Sequence, residues 1–539
     1  MPDAPHSIRD RISLRVGVPS ARGPLAAEGA ADGAVDGAVE GSAAGGPARR
    51  AHRLDAMAPA LVGGAAGFLA FLLVRGSLID DAYITLCYAR NLAFHGQWAL
   101  VAGHPANTAT SPLNVLLLAL AAFVTRHPVF GLGLVFAATC AGFTMALDGL
   151  FARLGLRRGG ALCAALLVIG DPLLLSTVGM EVMLVLLIAV ATLRAALAAR
   201  PVATGLLCAA MMLTRPDAAV IVLVLVLAIP ATRRRWRLVG VVAALAAAPW
   251  YLFSWVFLGA VVPDSIVIKA AAAGWSGFTF GNGLFVYFER TPGVITISLA
   301  AAVLGLLWAL PALVRPGAAN SGPWRRPLLA LAGAAAAHFG VLALAAPQPF
   351  HWYYGPSVGL ATVVFGGLCS RPIPGSVRAE LSAALLCCLA AAITCDFVCG
   401  LPWHVAPVST NWATSAAYAK VGRQLGPLVG TAGVGSPGEV GEIAYFCDCD
   451  IVDPFSNHAV FMGELAAWNA EGGTLRHDFV ALDYHFANHS KRSPTLEYVL
   501  QVVDQRPARG SRYWIIGTPW TENSNGQLHY LELVRRYGS

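Results

Sequence analysis

Charged residues are scarce in this sequence of 539 residues. They make up 12% of the chain, whereas a soluble globular protein carries about 25%, and the mean hydropathy is +0.63. This scarcity excludes a single soluble domain, a disordered chain and a nucleic-acid-binding protein. Long apolar runs are present instead. The composition therefore predicts a polytopic α-helical membrane protein that is surrounded by membrane lipids.

Acidic residues are scarcest in the middle of the chain, with seven in 1–56, ten in 57–400 and thirteen in 401–539. A charge at membrane depth costs about 2.5–3.5 kcal/mol, so each of the middle ten is expected at a segment end or in a functional role. We predict three parts. The Ala/Gly-rich residues 1–56 form a disordered cytoplasmic tail, residues 57–400 a transmembrane catalytic module, and residues 401–539 a soluble α/β domain.

Apolar runs fill residues 57–400, and about 11–12 of them are expected to be transmembrane helices. The run 112–125 is shorter than the roughly 20 residues that a span needs, so we expect a partial or interfacial helix there, followed by one full span. Arginine clusters mark the cytoplasmic side by the positive-inside rule. An odd number of crossings then places the N-terminus in the cytoplasm and the C-terminal domain outside the cell (plasma or inner) membrane.

The C-terminal part, 401–539, mixes two kinds of local pattern. Residues 513–517 (YWIIG) are strand-like, and residues 494–503 are helix-like. Cys447 and Cys449 form the close cysteine pair of this part, and without a second pair at zinc spacing a structural role is favoured over a metal site. No metal and no cofactor are predicted, and a divalent cation has no support in the sequence.

The first loop opens with two adjacent carboxylates, Asp80 and Asp81, directly after the first apolar run. Adjacent carboxylates at a membrane boundary repel one another and are costly to desolvate, which raises the pKa of one of them towards that of a general base. The alternative is that the pair only marks the water interface. Because the pair opens a loop with aromatic and histidine residues, we favour a functional role.

Residues 78–112 read LIDDAYITLCYARNLAFHGQWALVAGHPANTATSP. The elements DDAYIT, YARNLA and TSPL resemble the first-loop signature of membrane glycosyltransferases of the GT-C fold, and in particular that of the actinobacterial terminal β-(1→2)-arabinofuranosyltransferases. Further elements match that family in order: GME at 179–181, LTRPD at 213–217, PDSIVIK at 263–269, FHWYYGP at 350–356 and VGEIAYFCDCDIVD at 440–453.

The resemblance implies an integral-membrane glycosyltransferase. Such an enzyme moves a sugar, here a pentose such as arabinofuranose, from a polyprenyl-phosphate donor to a glycan acceptor outside the membrane. Asp80 or Asp81 would then take the proton of the acceptor hydroxyl or stabilise the oxocarbenium character at the anomeric carbon. Families of this kind usually assign that role to the first aspartate.

The phosphate leaving group calls for cations nearby. Lys269 lies in a predicted outer loop with few other cations, and Arg215 ends a short apolar run on the same side, so both are candidate donor-binding residues. The alternative for Arg215 is a structural salt bridge with Asp217 or Glu181. Glu181 is expected either to orient sugar hydroxyls or to pair with Arg215.

An aromatic cluster separates two late apolar runs. Trp352 is interpreted as an interface anchor, because aromatic residues are enriched at that depth of a membrane. His351 and Tyr354 are the candidates for contact with the substrate.

Three other interpretations stay open at this point. The same donor class serves enzymes with protein or lipid acceptors, such as mannosyl- and aminoarabinosyl-transferases. A lipid-linked-sugar flippase or secondary transporter is a different class, and a degenerate enzyme would keep only the fold. The sequence has no phosphate-binding glycine loop, so a soluble nucleotide donor is unsupported. An enzyme requires Asp80 or Asp81, Lys269 and Arg215 to converge on one cavity that opens to lipid.

Overall fold

The computed structural model describes residues 46–271, 275, 277–314, 322–373, 375–487, 494–521 and 528–536. Residues 1–45 of the predicted tail lie outside this described part. The first helix begins at Gly46, ahead of the apolar run that starts at Met57. One compact unit extends from Leu54 to Ser539.

Helices form most of the described chain up to residue 398, with one short hairpin in the first loop. The helices are α1 (Gly46–Val74), α2 (Asp80–His95), α3 (Pro112–Thr125), α4 (Pro128–Arg153), α5 (Arg158–Ile169), α6 (Pro172–Leu175), α7 (Val182–Leu197), α8 (Pro201–Thr214), α9 (Ala219–Ala228), α10 (Pro230–Arg233), α11 (Trp236–Phe253), α12 (Asp264–Ala271), α13 (Leu284–Arg290), α14 (Pro292–Val314), α15 (Arg325–Ala345), α16 (His351–Cys369) and α17 (Ser376–Val398). The hairpin pairs β1 (Ala99–Val101) with β2 (His104–Pro105).

Among the described residues, six helices are long and apolar enough to cross a membrane. They are Met57–Val74, Pro128–Arg153, Trp236–Leu258, Pro292–Pro311, Arg325–Ala345 and Ser376–Val398. Shorter apolar helices accompany them: Pro112–Thr125, Arg158–Ile169, Val182–Leu197, Pro201–Thr214 and Pro216–Ala228. Many apolar residues of the long helices are exposed, as expected for surfaces that face lipid. The chain is thus a polytopic α-helical membrane protein.

The stretch 112–152 contains the short helix and the long one that its sequence predicts. Helix α3 has 14 residues and stops at Arg126, which adopts a left-handed conformation. Helix α4 follows with 26 residues and has the length of a full span. Helix α16 is central to the bundle, since almost every one of its residues is buried against its neighbours.

The C-terminal part contains helices around a five-stranded sheet. Its elements are α18 (Ser415–Val429), β3 (Gly433–Gly435), α19 (Gly441–Cys447), β4 (Ile451–Val452), α20 (His458–Ala470), α21 (Thr474–Asp483), β5 (Leu496–Val503), β6 (Arg512–Ile516) and β7 (His529–Arg535). The strand order is β4-β3-β5-β7-β6, with parallel pairs around β3 and antiparallel pairs around β7.

One local prediction in this part is wrong. Residues 494–503 were expected to be helix-like, whereas the structure places strand β5 at Leu496–Val503. Strand β5 hydrogen-bonds on one side to β3 and on the other to β7, so tertiary pairing decides its conformation. The strand-like run at 513–517 does form a strand, β6.

Candidate active site

Asp80 and Asp81 occupy the first turn of α2, where the helix dipole favours negative charge. The carboxylate of Asp80 is buried and accepts hydrogen bonds from the backbone N–H groups of Gly441 (3.0 Å) and Glu442 (2.7 Å). Burial raises the pKa of Asp80 to about 7, with a further contribution from the charge of Asp81 and against the effect of the two N–H donors. Asp80 therefore fastens α2 to the first turn of α19.

Gly441 is what allows this close approach of α19 to α2. A Cβ atom at this position would lie 2.2 Å from the carbonyl oxygen of Asp80 and 2.7 Å from the amide nitrogen of Ile84. Both of these are backbone atoms that cannot move aside. Any larger residue at 441 would thus separate the two helices and break the hydrogen bonds to Asp80.

Asp81 points away from that contact and forms an ion pair with Lys269. The Nζ atom of Lys269 lies 3.2 Å from Oδ1 of Asp81, and it sits over the rings of Phe350 (4.9 Å) and Trp352 (5.3 Å). Lys269 belongs to the last turn of α12, where the helix dipole favours a cation. Burial lowers the pKa of Lys269, but the Asp81 carboxylate and the Tyr353 side chain together outweigh this effect, so the pKa is raised.

A cavity of about 330 Å³ lies between Asp81, Lys269 and the end of α15. We call it the span-side cavity, because Val341, Leu342 and Ala345 of the candidate span Arg325–Ala345 form part of its wall. Its polar lining consists of the following residues: Asp81, Thr85, Thr108, Thr110, Glu181, Arg215, Asp217, Ser265, Lys269 and Tyr353. Four candidate residues from separate segments of the chain thus line one cavity: Asp81, Glu181, Arg215 and Lys269.

Arg215 is held by two carboxylates at the wall of this cavity. Its Nε atom lies 3.0 Å from both oxygens of Asp217, its Nη1 atom lies 3.0 Å from Oε1 of Glu181, and its guanidinium group stacks over the ring of Tyr353. Both salt bridges of the structural alternative are therefore present. Because Pro216 follows it, Arg215 adopts an extended backbone that ends α8.

A second cavity, of about 510 Å³, lies between the same two charged residues and the C-terminal part. We call it the sheet-side cavity, since Val502 of strand β5 and the loop around Glu439 contribute to its wall. Its aromatic and acidic lining consists of the following residues: Asp80, Asp81, Trp275, Phe350, Trp412, Tyr418, Glu439, Phe455 and Trp520. Asp81 and Lys269 line both cavities, so the two spaces meet at this ion pair.

Glu439 is a site residue that the sequence did not single out. Its carboxylate accepts hydrogen bonds from the Asn411 side chain (3.2 Å), from the Trp412 backbone N–H (3.1 Å) and from the Tyr418 hydroxyl. Burial, and next the charge of Asp80, raise the pKa of Glu439 to about 8. Its position directly before the matched element at 440–453 was the available signal.

Two predicted substrate contacts lie elsewhere. Among the described residues that line the two cavities there is neither His351 nor Tyr354. His351 is buried with Nε2 3.4 Å from the carbonyl oxygen of Ser176, and the Tyr354 hydroxyl donates to the carbonyl oxygen of Phe280 (2.7 Å). Three residues apart on α16, they share one helix face, and the neighbouring Trp352 and Tyr353 line the span-side cavity instead.

The residues within the described ranges include no group of three His, Cys, Asp or Glu side chains that could hold a metal ion. The cysteine pair of the C-terminal part forms a disulfide, Cys447–Cys449, at the end of α19.

No family model matches the chain, and no curated protein is similar to it in sequence. Among the solved structures that resemble it, three are 13–15% identical in sequence. The archaeal oligosaccharyltransferase AglB from Archaeoglobus fulgidus, in complex with an inhibitory peptide and a dolichol-phosphate, is 13% identical, with 84% of this chain and 69% of that chain covered and a TM-score of 0.47.

The other two structures are of ArnT from Cupriavidus metallidurans. The form bound to undecaprenyl phosphate is 13% identical over 89% of this chain and 98% of that chain, with a TM-score of 0.49. The apo form is 15% identical over 90% of this chain and 98% of that chain, with a TM-score of 0.51. The likeness to apo ArnT extends over nearly the whole of both chains. The fold predicted from the first-loop motif is confirmed by it: the chain is a membrane protein of the GT-C fold.

Proposed function

We propose that the protein is an integral-membrane glycosyltransferase that moves a sugar from a polyprenyl-phosphate donor to an acceptor on the outer face of the membrane. The observation that carries this proposal is the position of the Asp81–Lys269 ion pair where two unlike cavities meet. A transferase must bring its donor and its acceptor together at one reacting atom, and this pair touches both spaces.

The span-side cavity suits the donor. Apolar side chains of α15 line one side of it, next to the lipid-facing Val341 and Leu344, where a polyprenyl tail would lie. Lys269 and Arg215 line the same cavity, and they would bind the phosphate through charge-assisted hydrogen bonds. Arg215 is already fixed by Glu181 and Asp217, so it presents its remaining donor groups with little loss of conformational entropy.

The chemistry assigned to this arrangement is a substitution at the anomeric carbon. The acceptor oxygen forms the new bond to that carbon, and the bond between the carbon and the phosphate oxygen breaks with its electron pair staying on the phosphate. Lys269 moves from Asp81 towards the growing phosphate charge and stabilises it. Asp81, released from the ion pair, accepts the proton of the acceptor hydroxyl. Asp80 positions this residue by fastening α2 to α19.

The sheet-side cavity suits a glycan acceptor. Its wall combines Trp275, Trp412 and Trp520 with the polar side chains of Asn411 and Glu439. Aromatic rings pack against the apolar faces of sugar rings, while carboxylate and amide groups bond the hydroxyls. The motif resemblance favours a pentose such as arabinofuranose as the transferred sugar and a glycan outside the membrane as the acceptor.

We place the C-terminal domain, 401–539, outside the membrane, the transmembrane catalytic module at 57–400, and the N-terminal tail in the cytoplasm. Disulfides persist in oxidising compartments, so the Cys447–Cys449 bond supports an extracytoplasmic location of α19 and of the sheet around it. The arginine clusters between the spans support the same orientation through the positive-inside rule.

Purified protein in lipid nanodiscs, incubated with a panel of polyprenyl-phosphate sugars and arabinan oligosaccharides, tests the proposal. We expect one donor to yield an acceptor enlarged by one sugar and a free polyprenyl phosphate, both detected by mass spectrometry. The Asp81→Asn protein is the matched control. Consumption of no polyprenyl-phosphate sugar in the panel would contradict the proposed donor class.

A further inference from the structure

Helix α21 carries large apolar side chains that the rest of the chain does not cover. Leu475 is 85% exposed and Leu482 is 70% exposed. Seven residues apart, they lie two turns from one another on the same face of the helix. Phe486, just past the end of the helix, is also exposed. We call Leu475, Leu482 and Phe486 the apolar stripe. Its exposure would be unfavourable on a surface that faces water.

The stripe begins where a candidate membrane span ends. The indole N–H of Trp255, in the last turn of the span Trp236–Leu258, donates to the carbonyl oxygen of Leu482 (3.1 Å). The ring of Trp255 also packs edge-on against Phe486, with the ring centroids 5.0 Å apart. On the span itself, Phe257 is 74% exposed. Exposed apolar surface therefore continues from the lipid-facing side of the span onto α21.

We propose that α21 lies in the interface of the bilayer, with Leu475, Leu482 and Phe486 inserted at the boundary of headgroups and acyl chains. The occupant of this apolar face is lipid, because the face adjoins a segment whose exposed residues already require lipid. His477 is exposed and lies about 160° around the helix from Leu475, so a polar side chain occupies the opposite face, as in amphipathic helices that lie flat on membranes.

This contact has a consequence for the helix that carries Lys269. The carboxylate of Asp483, at the end of α21, accepts hydrogen bonds from the backbone N–H groups of Val261 (2.9 Å) and Val262 (3.2 Å), directly before α12. Val267 of α12 packs in one apolar cluster with residues of α20 and the chain after α21. The membrane contact of α21 thus holds α12, and with it Lys269, at a fixed depth relative to the bilayer.

A photo-crosslinking experiment tests the inference on the full-length protein. Benzoylphenylalanine is introduced at position 475, at position 482 or, as the matched control on the opposite face of the same helix, at position 477, and each protein is reconstituted into phosphatidylglycerol/phosphatidylethanolamine vesicles. After illumination we expect lipid adducts by mass spectrometry at 475 and 482, with a yield about tenfold above that at 477, because an apolar face partitions into the bilayer.

A second measurement uses Leu475→Asp combined with photo-labelling at 482. This substitution should reduce lipid adducts at 482 without changing the unfolding temperature in detergent, since Leu475 touches little of the protein. Equal lipid yields at all three positions, or adducts with a second copy of the chain in place of lipid, would overturn the proposal. Neither result bears on the transfer reaction, so this test is independent of the proposed function.

Discussion

The two cavities that meet at Asp81 differ in which parts of the chain build them. The walls of the span-side cavity come mostly from loops and helix ends between residues 81 and 353, and they contain both cations of the candidate site. Much of the sheet-side cavity comes from residues 410–520, and it contains tryptophans and carboxylates. Under the proposed function the two sides have separate tasks: the span-side cavity would bind an anionic lipid head, and the sheet-side cavity would present a neutral, hydroxyl-rich acceptor to Asp81.

The largest expected effect on the transfer rate comes from Asp81, where the two cavities meet. Asp81→Asn keeps the size of the side chain but removes both the base and the partner of Lys269. We expect the rate of transfer to fall about 10²–10⁴-fold, which is the usual contribution of a positioned base. The rate is measured under saturating donor and acceptor, with Glu471→Gln on the exposed end of α20 as the control. If the variant keeps a rate within roughly threefold of the wild-type rate, Asp81 is not the base.

Lys269→Ala tests the phosphate-binding role that we propose for the span-side cavity. The phosphate would lose a charge-assisted donor that acts as the bond breaks, so we expect kcat/KM for the polyprenyl-phosphate donor to fall about 10²-fold. The KM for the acceptor should stay unchanged. Lys269→Arg is the conservative variant and should recover part of the activity. An equal rise in both KM values would mean that Lys269 only supports the structure between the cavities.

The pH dependence of the transfer rate tests Asp80, the buried neighbour of Asp81. The pKa of Asp80 is raised to about 7, so below that pH the carboxyl is protonated and binds the N–H groups of Gly441 and Glu442 less strongly. We expect activity to fall about tenfold per pH unit below 7. Since the folded-state pKa is raised, this group stabilises the folded protein towards acidic pH, and its contribution is lost as the pH rises through 7.

Two separate profiles check this opposition of activity and stability. Initial rates and unfolding temperatures are recorded between pH 5 and 9, a range that brackets the pKa of Asp80 at about 7. A transfer rate that does not fall between neutral pH and pH 5 would contradict the role assigned to Asp80.

Glu439→Gln tests the sheet-side cavity alone. One of the two acceptor oxygens that hold Asn411 and Trp412 against the cavity is replaced by an NH2 group, while the other oxygen remains. A buried donor left without its acceptor costs about 1–3 kcal/mol, so we expect the KM for the acceptor to rise about tenfold while the KM for the donor stays constant. Tyr418→Phe, which removes one donor to the same carboxylate, should give a smaller change in the same direction. A larger change in donor KM would break the division between the cavities.

The smallest effect is expected from Tyr354→Phe. Tyr354 is buried outside both cavities, and its hydroxyl donates to the carbonyl oxygen of Phe280. Loss of that bond should lower the free energy of unfolding by about 1 kcal/mol and leave both KM values within error. Thermal unfolding and steady-state kinetics on the same preparation measure the two quantities. A clear rise in the donor KM would instead support the substrate contact that the sequence predicts for Tyr354.

The span-side cavity was largely predictable from the sequence, because its residues lie in short motifs at the ends of apolar runs. Asp81, Lys269, Arg215 and Glu181 were all named in this way. The choice between neighbours was not predictable: the residues of α16 that face the cavity are Trp352 and Tyr353, since a rotation of 100° per residue turns His351 and Tyr354 away. Apolar helices give no sign in their sequence of which face meets a cavity.

The sheet-side cavity was the harder half. Glu439, Trp412 and Trp520 lie far apart in sequence and in loops without periodicity, and strand β5 was mistaken for a helix. Their proximity depends on long-range pairing of strands and on the approach of α19 to α2, which no local pattern encodes. From the sequence alone, the tryptophans of this cavity cannot be distinguished from tryptophans that anchor a protein at the membrane interface.

The sequence by itself determined that this is a many-helix membrane protein with an acidic first loop, because long apolar runs have no other stable location and clustered charge must lie at their ends. Only the tertiary structure decided that the buried Asp80 carboxylate binds the start of α19, while Asp81 lines both cavities. The two residues are chemically identical, and what separates their roles is the approach of Gly441, more than three hundred residues away.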